Sequence, residues 1–338
     1  DDVTKAGVAR ALGLRLMVNE DVLTDLKTRY AHRKDVDEDL LANIATLPER
    51  ATCYMNPLGA APGFAVKEGE RTIYVLPGVP GEMKVIFERS IARELQHLSL
   101  ERYSVTRVVT TFGLTESEIA RRIGEHLPDD VRIGYLPGLD GVKLRLTAGG
   151  SDRQEIGQRL KTVTSKIVEI LGDNVVSTEG LPLSEVVGKM LIESHLTIAI
   201  AESCTGGLIG HLLTEIPGIS SSLDRDVVAY SNATKVEALG VDSNLIETRG
   251  AVSGEVAAAM AEGVRARSGT DIGLSTTGIA GPTGGTPTKP VGTVYIGLAF
   301  GEETRVEKRQ FRGDRSAIKV RAANTALDLL RRSLLSKG

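Results

Sequence analysis

From Leu183 to the end of the chain, apolar stretches of strand length take turns with amphipathic stretches of helix length, and this alternation confines the region to an α/β sheet. A helix over Ser184 to Ser194 leads to a strand at Thr197 to Ala201, then to a helix at Thr205 to Thr214 and a strand at Asp226 to Tyr230. A short helix at Ala233 to Leu239 and a longer one at Gly254 to Arg267 follow. Ser253 caps the longer helix, and Val256, Met260 and Val264 form its apolar stripe. Two strands (Asp271 to Thr276, Gly292 to Phe300) and a last one near Arg305 to Phe311 precede a terminal helix from about Ser316 to Leu335. Sites in such sheets lie beyond the carboxyl ends of strands.

The upstream part has a different rhythm. Residues 1–100 read helix, helix, strand, strand, helix, with Arg71 to Leu76 as a buried strand, a shorter strand at Phe64 to Val66, and loops at 56–63 and 77–81. The chain opens Asp1-Asp2-Val3-Thr4 directly into a helix that Thr4 caps and Gly13 stops, and its ready apolar face predicts partner strands further upstream. Residues 103–178 form a small α+β unit: strand (Ser104 to Phe112), helix (Glu116 to Leu127, with Thr115 and Glu118 as a capping box), two strands (Arg132 to Leu136, Val142 to Ala148) and a helix (Ser151 to Leu171). Gly172 to Pro182 reads as a linker. For 338 residues, a prior of about 150 per domain gives two or three domains.

Composition excludes several functions. A net charge of −3, five Phe and no Trp argue against a general nucleic-acid surface. Two cysteines, Cys53 and Cys204, cannot build a disulfide framework, and the histidines (His32, His97, His126, His195, His211) lack ligand-like spacing. Apolar runs fall short of the roughly 18 residues a membrane helix needs. The expectation is a soluble, cytoplasmic protein without membrane contact.

Three polar clusters fall where strands of the last unit end. In Glu202-Ser203-Cys204-Thr205-Gly206-Gly207, hydroxyls and backbone N–H groups at a helix start can face an anion. The same residues also suit a helix cap with glycines for close packing. In Tyr230-Ser231-Asn232-Ala233-Thr234-Lys235, the Tyr and Lys can share a cleft, or can be a buried Tyr beside a solvated Lys. The run from Ser275 through Thr277, Gly278 and Gly281 to Gly285 lets backbone approach a ligand closely, yet lacks the Gly-Lys-Ser/Thr of a P-loop. Arg315 is a candidate phosphate clamp, with Arg321 as its competitor.

Together AESCTGG, YSNATK, RGAVS (249–253), STTGIAGPTGG, KPVGTVYIGL and the late GDR resemble the carboxy-terminal domain of the CinA family, known as nicotinamide mononucleotide deamidase. Upstream, DDVTK, NPLGAAPGF and LPGVPGEM resemble the same family's full-length form, and 103–178 resembles its KH-like middle domain. The resemblance implies a multidomain α/β protein. Its parts would be a partial molybdopterin-binding-like α/β domain (1–100), a small α+β KH-like domain (101–178) and a C-terminal α/β amidase domain (183–338). It implies an amidohydrolase that acts on nicotinamide mononucleotide in pyridine nucleotide salvage, with no cofactor. Ser203, Tyr230 and Lys235 would be catalytic. Cys204, Thr205, Gly206, Thr277, Gly278, Gly281 and Arg315 would bind substrate. The roles suggested by chemistry are Ser203 as nucleophile, Lys235 as base, Tyr230 as relay or orienting group, and backbone N–H groups of Cys204 to Gly206 for the oxyanion. A homodimer is the expected assembly.

Two other readings remain open. The family's N-terminal domain is assigned an ADP-ribose pyrophosphatase activity, for which Asp1, Asp2 and Glu82 could hold a divalent metal. The family's first strands and the turn before the paired aspartates have no counterpart here, and acidic residues also suit a helix start. Position 60, in Gly59-Ala60-Ala61, holds Ala where the family more often has Thr. A non-catalytic, competence-linked adaptor would use Gly138-Leu139-Asp140-Gly141 as the Gly-x-x-Gly of an RNA-binding KH fold, but its acidic interior suits a tight hairpin turn better.

Overall fold

A computed structural model describes residues 2–32, 37–96, 102–124 and 127–336, the side chains of Asp2 and Gln96 excepted. Asp1, His97, His126 and part of the predicted end of the Glu116 helix lie outside the described residues. The chain divides into two compact units, 1–101 and 102–338. Among the described residues no helix is long and apolar enough to cross a membrane.

The first unit runs α1 (Asp2–Ala11), β1 (Leu16–Val18), α2 (Glu20–Tyr30), α3 (Glu38–Ala45), β2 (Thr46–Pro48), β3 (Thr52–Tyr54), β4 (Gly63–Glu68), β5 (Arg71–Val75), α4 (Pro80–Ile86), a π-helical turn (Phe87–Ile91) and α5 (Ala92–Gln96). β1 pairs antiparallel with β2, and β3, β4 and β5 form an antiparallel sheet in that order. The stretch expected to be a buried strand is β5, whose first three residues are exposed. β5 is an edge strand, whereas the shorter stretch beside it forms the central β4, and it is Gly63 to Val66 that are buried. The three-residue strands β1, β2 and β3 are too short to leave a readable period.

The second unit begins with β6 (Tyr103–Thr111), α6 (Glu116–Ile123), β7 (Val131–Gly138), β8 (Gly141–Gly150), α7 (Arg153–Leu171) and β9 (Val175–Ser177), whose strands lie in the antiparallel order β7-β8-β6-β9. The capping box forms as read: Thr115 accepts from the Glu118 N–H while the Glu118 carboxylate accepts from the Thr115 N–H. Gly138 pairs with Gly141 at the closed end of the β7–β8 hairpin, so Leu139 and Asp140 are its turn residues. The expected linker is partly structural. Val175 to Ser177 adds β9 to the sheet, and burial of Val176 supplies the reason.

The same unit continues with α8 (Leu183–Glu193), β10 (Ile198–Glu202), α9 (Leu208–Thr214), β11 (Leu223–Val228), α10 (Asn232–Leu239), α11 (Ser243–Arg249), α12 (Gly254–Ser268), β12 (Ile272–Gly278), β13 (Thr293–Phe300), β14 (Glu303–Gln310) and α13 (Arg315–Leu335). The sheet order is β11-β10-β12-β13-β14, with the first three strands parallel and the last two antiparallel. α8, α9 and α13 bury one face against Ile198 and Ile200. α12 buries the other against Ala199 and Ala201, with Val256, Met260 and Val264 turned inward as their spacing predicts. α12 lies very close to the sheet, since a Cβ at Gly273 would come within 2.0 Å of the Ala261 carbonyl. α11 was not expected, because its seven residues give barely two helical turns.

Candidate active site

The carboxyl end of β10 presents the Glu202–Gly207 loop. It is fastened to β12 by the Ser203 N–H, which donates to the Thr276 carbonyl at 2.9 Å, and by the Thr205 and Thr276 hydroxyls, 2.6 Å apart. The helix that follows starts three residues later than expected, at Leu208 rather than Thr205. Gly206 (φ +63°) and Gly207 (φ +87°) hold left-handed backbone, which a helix cannot include. Two of the donors at this start are already taken by a side chain of the protein. The fully buried Glu202 carboxylate accepts from the Gly207 N–H and the Gly210 N–H, each at 2.9 Å.

Ser231 caps α10 by accepting from the Thr234 N–H, which fixes the turn so that Lys235 points inward. Lys235 is 1% exposed. Its Nζ lies 3.1 Å from Ser203 Oγ, 2.8 Å from the Ala229 carbonyl and 3.4 Å from the Tyr230 carbonyl. These partners include no carboxylate. Burial therefore lowers the lysine's affinity for a proton, with a small opposing pull from Cys204. The Cys204 thiol is also buried, and burial pushes it up to about 12. Of the two adjacent side chains, the Ser203 hydroxyl lies at hydrogen-bond distance from the Lys235 amine.

Tyr230 and Lys235 border one cleft, as one reading of their spacing predicts, but not through a contact of the ring with the amine. The Tyr230 phenol is exposed and accepts from the Arg315 guanidinium at 2.7 Å, so Lys235 meets its backbone and not its ring. Arg315 also donates to the Gly281 carbonyl at 2.7 Å, joining the start of α13 to the glycine-rich loop. Thr277 is 1% exposed and donates its hydroxyl to the Ala251 carbonyl at 2.7 Å.

These groups surround a cavity of about 340 Å³. Ser203, Cys204, Tyr230, Lys235, Thr277, Gly278, Gly281 and Arg315 all line it, so three strand-end clusters distant in sequence meet at one place. Thr205 and Gly206 do not line it. Thr205 is fully buried behind the loop, and Gly206 turns towards Lys319 on α13. Of the backbone donors expected for an oxyanion, Cys204 is the one whose residue borders the cavity. Asn232, Val252 and Thr283 also line it. They stand within the same motifs, but neither spacing nor residue type singled them out. A larger cavity of about 890 Å³ lies in the same unit between Phe112–Glu116 and residues of β14 and α13, and it contains no nucleophile–base pair.

In the first unit, Glu82 accepts from the Asn56 amide at 2.7 Å, which ties the 56–63 loop to α4. Among the described residues no group of three His, Cys, Asp or Glu is arranged to hold a metal. Of the expected trio with Glu82, Asp1 and the side chain of Asp2 lie outside the described residues.

The CinA C-terminal domain matches residues 181–334, the "Damage-inducible protein CinA KH domain" residues 106–177, and the "Probable molybdopterin binding domain" residues 1–97. A CinA-like protein of Salinibacter ruber is 43% identical over 99% of this chain and 82% of its own length. One from Desulfosudis oleivorans is 40% identical over 99% and 82%. The crystal structure of competence/damage inducible protein CihA from Agrobacterium tumefaciens is 37% identical. It covers 45% of this chain and 93% of that one, with a TM-score of 0.44.

Proposed function

The chain belongs to the CinA family, and from that premise we propose that it hydrolyses the carboxamide of nicotinamide mononucleotide to nicotinate mononucleotide and ammonia. The observation that carries this reading is the buried contact between Ser203 Oγ and a lysine that has no carboxylate partner.

A neutral amine fits the surroundings of Lys235. Its two N–H bonds donate to the Ala229 and Tyr230 carbonyls, which leaves the lone pair for the Ser203 O–H. Ser203 Oγ attacks the carboxamide carbon as its proton moves to Lys235. The tetrahedral oxyanion takes the Cys204 N–H. The C–N bond then breaks, and the proton on Lys235 passes to the departing nitrogen, which leaves as ammonia. Water attacks the acyl-serine, gives its proton to Lys235, and the acid departs as the serine recovers its hydrogen. The cationic pyridinium ring already draws electrons from the carbonyl. Arg315, at the cavity mouth, is the group suited to the 5′-phosphate. Apart from the attacking water, every step uses groups of the protein.

The test is ammonia release from nicotinamide mononucleotide by the full chain, with and without a chelator. Activity that survives chelation and disappears in Ser203→Ala supports the reading. Full activity in Ser203→Ala removes the nucleophile, and loss on chelation removes the metal-free chemistry.

A further inference from the structure

Behind the Ser203 loop, two carboxyl side chains meet at one backbone position. Glu202 Oε1 accepts from the Gly210 N–H at 2.9 Å. A Cβ built on Gly210 would come within 2.2 Å of Asp226 Oδ2, so the Asp226 carboxyl lies against the same residue. Asp226 Oδ1 is buried and accepts from no donor. A buried carboxylate oxygen without a donor is costly, and two ionised carboxylates side by side repel. A single proton shared between them removes the repulsion and leaves the Asp226 carboxyl uncharged.

We propose that Glu202 is the positioning residue for Ser203, holding the nucleophile's loop through the Gly207 and Gly210 N–H groups, with Asp226 as its proton-sharing partner. The inference rests on the reading of Ser203 as nucleophile and extends it to a pair of groups that touch neither cavity nor substrate. Glu202 immediately precedes Ser203, and its carboxylate folds back over the left-handed glycines that would otherwise leave the loop free to turn.

The surroundings leave Glu202 as the group that sets the charge state of Asp226. α9, packed over this face of the sheet, has His211 as its one ionisable residue, and β10 has Glu202 alone. The 3-10 turn at Ile219–Ser221 has none. On β11, Asp224 and Arg225 pair with each other at 2.6 Å. α12, with Glu255, Glu262, Arg265 and Arg267, packs on the opposite face, where Val227 points. Burial first, then the neighbouring Glu202 charge, pushes Asp226 up to about 8. Below that pH Asp226 keeps the proton. Above it the pair carries two charges and the hold on the loop weakens.

The experiment uses the full chain with two readouts: the pH profile of kcat for ammonia release, and backbone amide exchange at Gly207 and Gly210. Wild type shows kcat falling above about pH 8 together with faster exchange at both amides. Asp226→Asn, whose amide donates to Glu202 at every pH, keeps the neutral-pH kcat and loses the alkaline fall in both readouts. Glu202→Gln lowers kcat at least tenfold with little change in KM, and exposes one or both amides to exchange. Exchange and kcat unchanged in Glu202→Gln, or an alkaline fall that persists in Asp226→Asn, overturns the proposal. If Glu202→Gln fails to fold, the Asp226→Asn comparison decides alone. Amide exchange is read whether or not Ser203 is the nucleophile, so an active Ser203→Ala with Glu202-dependent exchange would fault the catalytic reading and not the positioning contact.

Discussion

Replacing Lys235 by Met removes one amine while keeping most of the side chain's volume and apolar stem in a site that is 1% exposed. Two consequences follow from the same geometry. As general base to Ser203 Oγ at 3.1 Å, the amine accounts for about a hundred- to ten-thousand-fold of rate, and kcat/KM falls by that factor. Stability changes in a different way. Burial lowers the folded-state pKa from the ordinary 10.5, so between the lowered value and 10.5 the unfolded chain holds one proton more than the folded chain. Wild-type stability therefore rises with pH across that window by about 1.4 kcal/mol per pH unit, flattening above 10.5 and below the lowered value. Lys235→Met lacks this contribution. It also leaves the Ala229 carbonyl without its donor, a loss of about 1–3 kcal/mol that does not vary with pH. Urea unfolding at closely spaced pH values from 6 to 10, in parallel with ammonia release, separates the two effects. A Lys235→Met protein with a tenth or more of wild-type kcat/KM refutes the base assignment. One whose stability climbs with pH as steeply as wild type refutes the buried, proton-poor amine.

Three further outcomes are expected. Cys204→Ala leaves kcat/KM within a few-fold of wild type, and thiol reagents at pH 7 to 8 do not inactivate, because the thiol is buried and held near 12. Arg315→Ala raises KM for nicotinamide mononucleotide roughly ten- to a hundred-fold, from a charge-assisted bond of about 1.5–3 kcal/mol, and leaves the phosphate-free riboside unaffected in a steady-state comparison. Asp328→Ala removes the carboxylate that receives both Arg331 and Arg332, leaves the Arg331 charge at 2% exposure with the Asp173 carbonyl but without its counter-charge, and lowers the urea-unfolding free energy by about 3–5 kcal/mol.

What could be read before any coordinates were known followed local rules. Period-2 and period-3.6 patterns located the long strands and helices, and the Thr115–Glu118 capping box marked the start of α6 to the residue. Glycines and hydroxyls at strand ends marked the clusters that hold Ser203, Tyr230, Lys235 and Thr277, the resemblance to the CinA family chose the functional reading of them, and all four line one cavity with Arg315. What escaped depends on partners distant in sequence or on position in a sheet. β5 is exposed because it is an edge, and nothing within Arg71 to Val75 says so. β9 joins the sheet through pairing with β6, across sixty-odd residues of chain. The late start of α9 required knowing that Glu202 would turn back onto Gly207. The orientation of the Tyr230 ring required Arg315, which arrives from the far end of the unit.

Two of the donors at the start of α9, the Gly207 and Gly210 N–H groups, are already matched by a carboxylate from within the chain, which fills the place an external anion would take there. On the proposed reading, recognition of a negative group falls instead to Arg315, an exposed side chain on another helix, whose present partners are a phenol and a loop carbonyl. That reading would place bond breaking and charge recognition on separate pieces of the fold. If the proposed chemistry holds, exchanging the residue at 315 would retune which ligands are admitted while Ser203 and Lys235 stay as they are.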